Sequence, residues 1–357
     1  MKKTGLRREL GLLPTTMMGI GGAIQAGIFV MLGHAIGLVG TAVLIALLLC
    51  GIINLFTMCS YAELGAALPT AGGEYTFSKI AYGGFISFLT GWFEWISNMF
   101  YAALCAVGFA YIISSYILSY IAPVSFFTIP LIALFIIAVF TVVNIKGVKE
   151  VGTSQVVMIV ALLMILMLYI WSGFSSAQMK PLQMPASTNP LGIIQATAYI
   201  FVVYLGAEAI AVAQAEVKEP GKTIPRAILL TGAALIVIYI LIAFVTLSIV
   251  PAETLGGEAS PIIFAARQIM GDIGMVLLVV AGTIAALSSV NTAIMAQSRV
   301  AYALSRDGYF PKALQKIHGR FATPHVAVIV GAIFTSVLAA TGMINFVGYA
   351  TDFGFII

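Results

Sequence analysis

The sequence predicts an all-α integral membrane protein, on three grounds: composition, the length of its apolar stretches, and the side on which its bases fall. Of 357 residues, 61% are hydrophobic and 8% charged, where a soluble domain carries about a quarter charged. With a mean hydropathy of +1.09, the chain needs lipid as solvent. The formal charge of +4 is therefore no footprint of a nucleic acid; its meaning lies in which loops hold the bases.

A spanning helix needs about 20 apolar residues. Such stretches occur near 12–37, 40–68, 84–118, 125–144, 154–174, 190–213, 227–250, 273–305 and 324–342. A tenth begins near 345 and stops at Ile357 inside the run FVGYATDFGFII. A helix ending in hydrocarbon leaves bare carbonyls, so the sequence is expected to be truncated within helix 10. The first stretch is too long and glycine-rich for a signal-peptide core. One transmembrane domain is expected over 1–357, with halves of about 12–174 and 190–357. Cys50, Cys59 and Cys105 lie in apolar runs without paired spacing, as packed thiols do.

With the N-terminus cytoplasmic, the inner side receives Lys2, Lys3, Arg7, Arg8, Lys79, Lys146, Lys149, Lys218, Lys222, Arg226, Arg299, Arg306, Lys312, Lys316 and Arg320. Of 17 bases, only Lys180 and Arg267 fall outside. This is the positive-inside pattern, and a missed or extra helix would scramble it.

Two spans are interrupted. Gly19, Gly21, Gly22 and Gly27 lie at mid-membrane depth in span 1. Such a cluster serves either as a packing face between helices or as a place where backbone turns toward a ligand. In span 6, Gly206 stands beside Ala207 and Glu208, and an intramembrane glutamate is costly unless it lines a cavity. Interruptions at matching positions of two halves point to a carrier built from inverted repeats. In span 3, Glu94, Ser97, Asn98, Tyr101, Cys105 and Gly108 form a polar or small stripe at helical spacing. Glu94, Glu208 and Asp352 fall within spans, whereas the bases lie in loops or near helix ends. A pocket holding such acids is expected to exchange a proton or to receive a cation: a proton, sodium or a substrate amine. The alternative for Glu94 is a structural bond to a neighbouring helix.

At these residues the chain resembles the amino-acid/polyamine/organocation (APC) permeases. GIGGAIQAGIF (19–29) is similar to the family's GIGAIIGAGIF, and Tyr61–Gly65 with Pro69–Tyr75 to its YAELG…P-x-AGGEY stretch. AQAEVKEPGKTIPRAI (213–228) and RVAYALSRDGYFP (299–311) resemble two further family blocks. The resemblance implies a LeuT-like 5+5 inverted-repeat bundle with discontinuous helices 1 and 6. It implies a secondary transporter of amino acids in the cytoplasmic membrane, moving substrate by alternating access. Substrate would then meet Gly21, Gly22, Ile24, Gln25, Ala26 and Gly27 of span 1, Ser97 and Tyr101 of span 3, and Phe201, Tyr204, Gly206 and Ala207 of span 6.

The departures from the family pattern carry information too. The Gly-x-Gly that receives a substrate carboxylate is here Gln25-Ala26-Gly27. Ala207 stands where many members place an aromatic gate, leaving a larger pocket or a gate from Phe201 or Tyr204. The proposed proton-coupling glutamate of the cationic branch is Ser97 here, and span 5 has no lysine. Coupling-ion candidates are therefore Glu94 and Glu208, or Ser288 and Ser289 with span-1 carbonyls near Ile20 and Ala23. That serine pair resembles a sodium site of the wider superfamily, though membrane serines also bond their own preceding turn.

Glu63 and Glu74 read as caps or tethers of the 69–83 loop, and Pro251–Asp272 as an external segment with a short lid-like helix. His34, His318 and His325 are scattered. Nothing resembles a nucleophile–base pair, a metal spacing or a phosphate loop, so neither an enzyme nor a cofactor is expected. A polyamine or other organic-cation carrier is the nearest alternative, favoured by Gln25 and the acidic pocket.

Overall fold

A computed structural model of the chain describes residues 6–116, 118, 125, 127–176, 182, 189–258 and 260–341. The tenth span, Asp352, Lys2, Lys3 and Lys180 lie outside these residues. Thirteen α-helices occur among the described residues: α1 Leu12–Ala23, α2 Ala26–Val39, α3 Val43–Ala67, α4 Gly73–Tyr82, α5 Gly84–Tyr116, α6 Thr128–Lys146, α7 Val148–Phe174, α8 Pro190–Ile200, α9 Ala209–Val212, α10 Pro220–Ile249, α11 Ala252–Leu255, α12 Pro261–Arg306 and α13 His325–Ala340. The one β-like contact is an isolated parallel bridge between Leu10 and Val217.

Local signals explain the helix starts. Asn189 caps α8, its Oδ1 accepting the Leu191 N–H at 3.0 Å, and Pro190 takes the first position, where a missing N–H costs nothing. Pro220 and Pro261 open α10 and α12 in the same way. Gly271 (φ 64°, ψ −153°) divides α12 into two helices. The segment expected to form an external lid thus holds α11 and the short helix ahead of Gly271.

Among the described residues, six stretches are long and apolar enough to cross a membrane: Met31–Ala67, Gly84–Ser114, Thr128–Lys146, Val148–Phe174, Pro220–Ile249 and Pro261–Arg306. Gly40 (φ 59°) and a 3₁₀ turn over Gly40–Ala42 bend the first of these, so α2 and α3 are separate helices. Spans 1 and 6 drop out of this set because both are broken, and α13 because it is short. Apolar side chains also face outward, among them Phe56, Phe85, Phe135 and Trp171. Helices that are apolar on every side suit lipid.

α1 lies at the centre, packed by α7, α9, α10 and α12, while α5 runs along α12 and α3 along α10. The expectation that every base lies in a loop or at a helix end needs one correction. Arg299 is wholly buried within α12, held by Glu216 through Nε–Oε2 and Nη2–Oε1 bonds of 2.9 and 3.1 Å. The buried glutamate makes that depth tolerable.

Candidate functional site: an acid-lined cavity beside two broken helices

Span 1 breaks at Ile24 (φ −74°, ψ 92°) and Gln25 (φ −109°, ψ 177°), between α1 and α2. The glycines before the break act as the packing face. Side chains of Ile210 and Thr231 crowd Gly19, and those of Gln155 and Ile159 crowd Gly21. Span 6 loosens into a 3₁₀ turn over Phe201–Tyr204, then turns at Gly206 (φ 108°) before α9. The two breaks touch. A Cβ on Gly22 would overlap the Gly206 carbonyl, and a Cβ on Gly206 would overlap that of Gly22.

A helix ending inside a protein must place its last carbonyls, and hydroxyls from three other helices do so here. Ser288 and Ser289 of α12 donate to the Gly21 carbonyl at 3.0 and 3.1 Å. Tyr101 of α5 donates to Gly22 at 2.6 Å. The Tyr239 hydroxyl of α10 reaches the carbonyls of both Ala23 (3.1 Å) and Val203 (2.8 Å), bridging the two breaks. The Ile20 carbonyl accepts the Ile24 N–H at 2.7 Å. The serine pair, expected beside span-1 carbonyls near Ile20 and Ala23, thus meets the carbonyl of Gly21, next to Ile20. Each serine also reaches its own preceding turn at Ala285.

Beside this junction lies a small cavity. Gly22, Tyr101, Gly206, Glu94 and Glu208, all expected from the sequence, line it. So does Asn98, whose Nδ2 donates to the Glu94 carbonyl at 2.8 Å. Three carboxyl side chains face the cavity, because Glu74 of α4 joins Glu94 and Glu208. One oxygen each of Glu74 and Glu94 is buried without a hydrogen-bond partner, while Glu94 Oε2 accepts the Tyr75 N–H at 3.4 Å. Glu208 caps its own break by accepting the Gly206 N–H. No group of three His, Cys, Asp or Glu able to hold a metal ion occurs among the described residues. Arg299 is committed to Glu216, and the lining includes no base.

Other expected residues serve elsewhere. Ser97 donates to the Phe93 carbonyl at 2.6 Å, inside its own helix. The Tyr204 ring stands edge-on to Tyr239, and its hydroxyl donates to the Leu47 carbonyl at 3.0 Å, so it buttresses α3. Phe201 packs against the largest apolar cluster and Ala207 belongs to another; neither lines the cavity. Gln25 is buried at the start of α2, beside Gly27. Gly21, Ile24, Gln25 and Gly27 thus form the break without lining the acidic cavity, and the side chain of Ala26 lies outside those described. The span-5 lysine of the cationic branch has no equivalent here, but Gln155 of α7 donates to Thr292, a cavity residue, and to the Ser288 carbonyl at 3.2 Å.

Sequence reasoning missed Glu74 as a cavity residue, reading it as a loop tether. Its one signal was position: it opens α4, directly before Tyr75, whose N–H meets Glu94. Beyond the cavity, Tyr75 and Lys79 of α4 both bond Asp307, each at 2.7 Å. Burial raises the Asp307 carboxyl, but these two bonds outweigh it and hold it below the usual carboxylate range.

Broken helices meeting over a polar cavity within an apolar bundle define a multi-pass membrane transporter. A family model described as amino acid permease matches residues 10–357, and the chain belongs to that family. The branched-chain amino acid permease of Bacillus subtilis is 27% identical over 340 residues, covering 90% of this chain and 72% of that protein. A methylthioribose transporter of the same organism is 29% identical, with the same coverage. An uncharacterized transporter of Mycobacterium tuberculosis is 28% identical, covering 97% of this chain and 77% of its own. The protein is a transporter and not an enzyme.

Proposed function

We propose that the protein is a secondary active transporter of amino acids in the cytoplasmic membrane, with its N-terminus cytoplasmic, working by alternating access. In this reading the chain is a LeuT-like bundle of two inverted five-helix halves, and the Gly22–Gly206 contact is the pivot beside which substrate binds. The observation that carries it is that contact: two backbones, each freed from helical bonding, meet at an acid-lined cavity. Membership of the amino acid permease family supports the substrate class. Glu94, Glu208 and Glu74 would exchange a proton or hold a cation as the site changes face. Sodium at Ser288 and Ser289 would be held by the lone pairs of hydroxyls whose hydrogens point at the Gly21 carbonyl.

A second reading is a polyamine or organic-cation carrier. Three lining carboxyls and no lining base favour an amine-bearing substrate. Purified protein in liposomes, given labelled amino acids and polyamines under a sodium or pH gradient, separates the two. Uptake of neutral amino acids driven by one gradient supports the first reading. Uptake of polyamines alone supports the second, and no uptake of either class defeats both.

A further inference from the structure

We propose that the cleft between the N-terminal segment, the α6–α7 junction and the loop before α13 is a binding site for a phosphate-bearing anion, separate from the substrate cavity. Four bases from three chain segments line it: Arg7, Lys146 and Lys149, and Arg320. Only two carboxyls, Glu9 and Glu150, line it with them. None of the four bases is held in an ion pair among the described residues, although the bases of Lys79, Lys222, Arg267, Arg299 and Arg306 are. Among its lining residues the cleft therefore carries a surplus of two positive charges.

The positive-inside pattern alone asks for bases on this face; it does not ask them to converge. Here the backbone is shaped to bring them together. The N–H groups of Arg320 and Phe321 both donate to His318 Nδ1, at 3.2 and 3.3 Å. The His318 N–H donates to the Thr323 carbonyl at 2.8 Å, and Thr323 Oγ1 donates to the carbonyl of Ile145, next to Lys146. This pins the Arg320 turn to the end of α6. Ala322, in the same turn, sits at φ 56°, a conformation that costs an alanine energy. On the opposite wall Gly147 takes φ 140°, and a Cβ there would lie 2.8 Å from Glu150 Oε2. Val148, Lys149 and Glu150, the first turn of α7, also line the cleft.

Several bases around one opening suit a phosphate, whose oxygens accept from more than one Lys or Arg at once. The phosphate could belong to an anionic lipid headgroup at the membrane face or be free in solution.

Two arms of one experiment test the site. In the first, purified protein in neutral detergent is titrated with inorganic phosphate while its melting temperature is followed. In the second, the protein is reconstituted in phosphatidylcholine vesicles with or without phosphatidylglycerol, and the phosphatidylglycerol retained after gentle re-extraction is counted by mass spectrometry. Lys146→Gln, Lys149→Gln and Arg320→Gln should each weaken binding about fivefold. Lys312→Gln and Lys316→Gln, exposed bases outside the cleft, should leave it unchanged. All five positions are exposed, so the variants should fold, and unaltered melting without ligand checks this. Retention of phosphatidylglycerol without a response to inorganic phosphate assigns the lipid headgroup; a response in both arms assigns the phosphate itself, and a response to inorganic phosphate alone assigns the free anion. No binding in either arm overturns the proposal, as does equal weakening by Lys312→Gln.

Discussion

Arg299 and Glu216 form a two-pronged ion pair, both wholly buried, that joins α12 to the turn after α9. The same glutamate's carbonyl accepts the N–H groups of Glu9 and Leu10 at 2.9 and 3.0 Å. One residue thus anchors a long helix, a connecting turn and the N-terminal segment.

Breaking this pair from one side should be costly, because the remaining charge is stranded in the interior. Glu216→Gln or Arg299→Met is expected to destabilise the protein by about 3–5 kcal/mol. The double variant Glu216→Leu/Arg299→Met should recover much of that loss. Melting temperatures of the three purified variants in detergent check this; a double variant no better than the singles would show that the pair does more than satisfy its own charges.

Gly22→Ala and Gly206→Ala should each force the two breaks apart, since the new methyl group would meet backbone that cannot rotate away. The expected cost is about 1–3 kcal/mol, with uptake lost. Gly282→Ala is the control, because its Cβ would meet Ile112 and Phe29 at ordinary contact distances of 3.5 and 3.8 Å. Uptake by the Gly22 and Gly206 variants equal to that of Gly282→Ala would contradict the role given to the contact.

Glu74→Gln, Glu94→Gln and Glu208→Gln test the cavity acids. If they carry the coupling ion, each should change the pH or sodium dependence of transport in proteoliposomes, and not its rate alone. If they meet a substrate amine, amine affinity should fall while neutral analogues bind as before. Wild-type ion dependence and affinity in all three variants would make them structural. Glu208→Ala, which removes the acceptor of the Gly206 N–H, should melt lower.

Ser288→Ala and Ser289→Ala should each be mild, because either hydroxyl can satisfy the Gly21 carbonyl alone. The double variant leaves that buried acceptor bare, at about 1–3 kcal/mol. Loss of sodium-dependent uptake in the single variants, with stability intact, would instead favour a cation at this pair.

Asp307 gives a pH signature outside the membrane. Its folded carboxyl is held below the ordinary value of 3.8. The linked stability is therefore fully present above about pH 4 and is lost as pH falls through the depressed folded value. Because Lys79 is 43% exposed, the effect should stay under about 1 kcal/mol. Asp307→Asn should remove that part of the acid sensitivity of melting.

Much of this was legible in the sequence because hydrocarbon imposes strict rules. Helix positions follow from apolar length, and Glu94 and Glu208 stood out because charge is rare at that depth. What stayed hidden depends on side-chain direction. Ser97 and Tyr101 share a stripe, yet one bonds its own helix and the other reaches across to Gly22. Glu74 looked like a loop residue because α4 is short and polar, and nothing in the linear pattern says that it tucks beneath α5. Arg299 looked like a loop-side base because the glutamate that admits it lies 83 positions away.

The fastening of Glu9 and Leu10 to residue 216 also bears on how the chain is made. The segment around Glu9 and Leu10 leaves the ribosome long before its partner, which does not exist until the chain has been synthesised through residue 216. During that interval its backbone donors must be met by water, and α1, itself apolar and held at the centre of the finished bundle, waits for α10 and α12. The packing around α1 is therefore completed only when these later helices arrive.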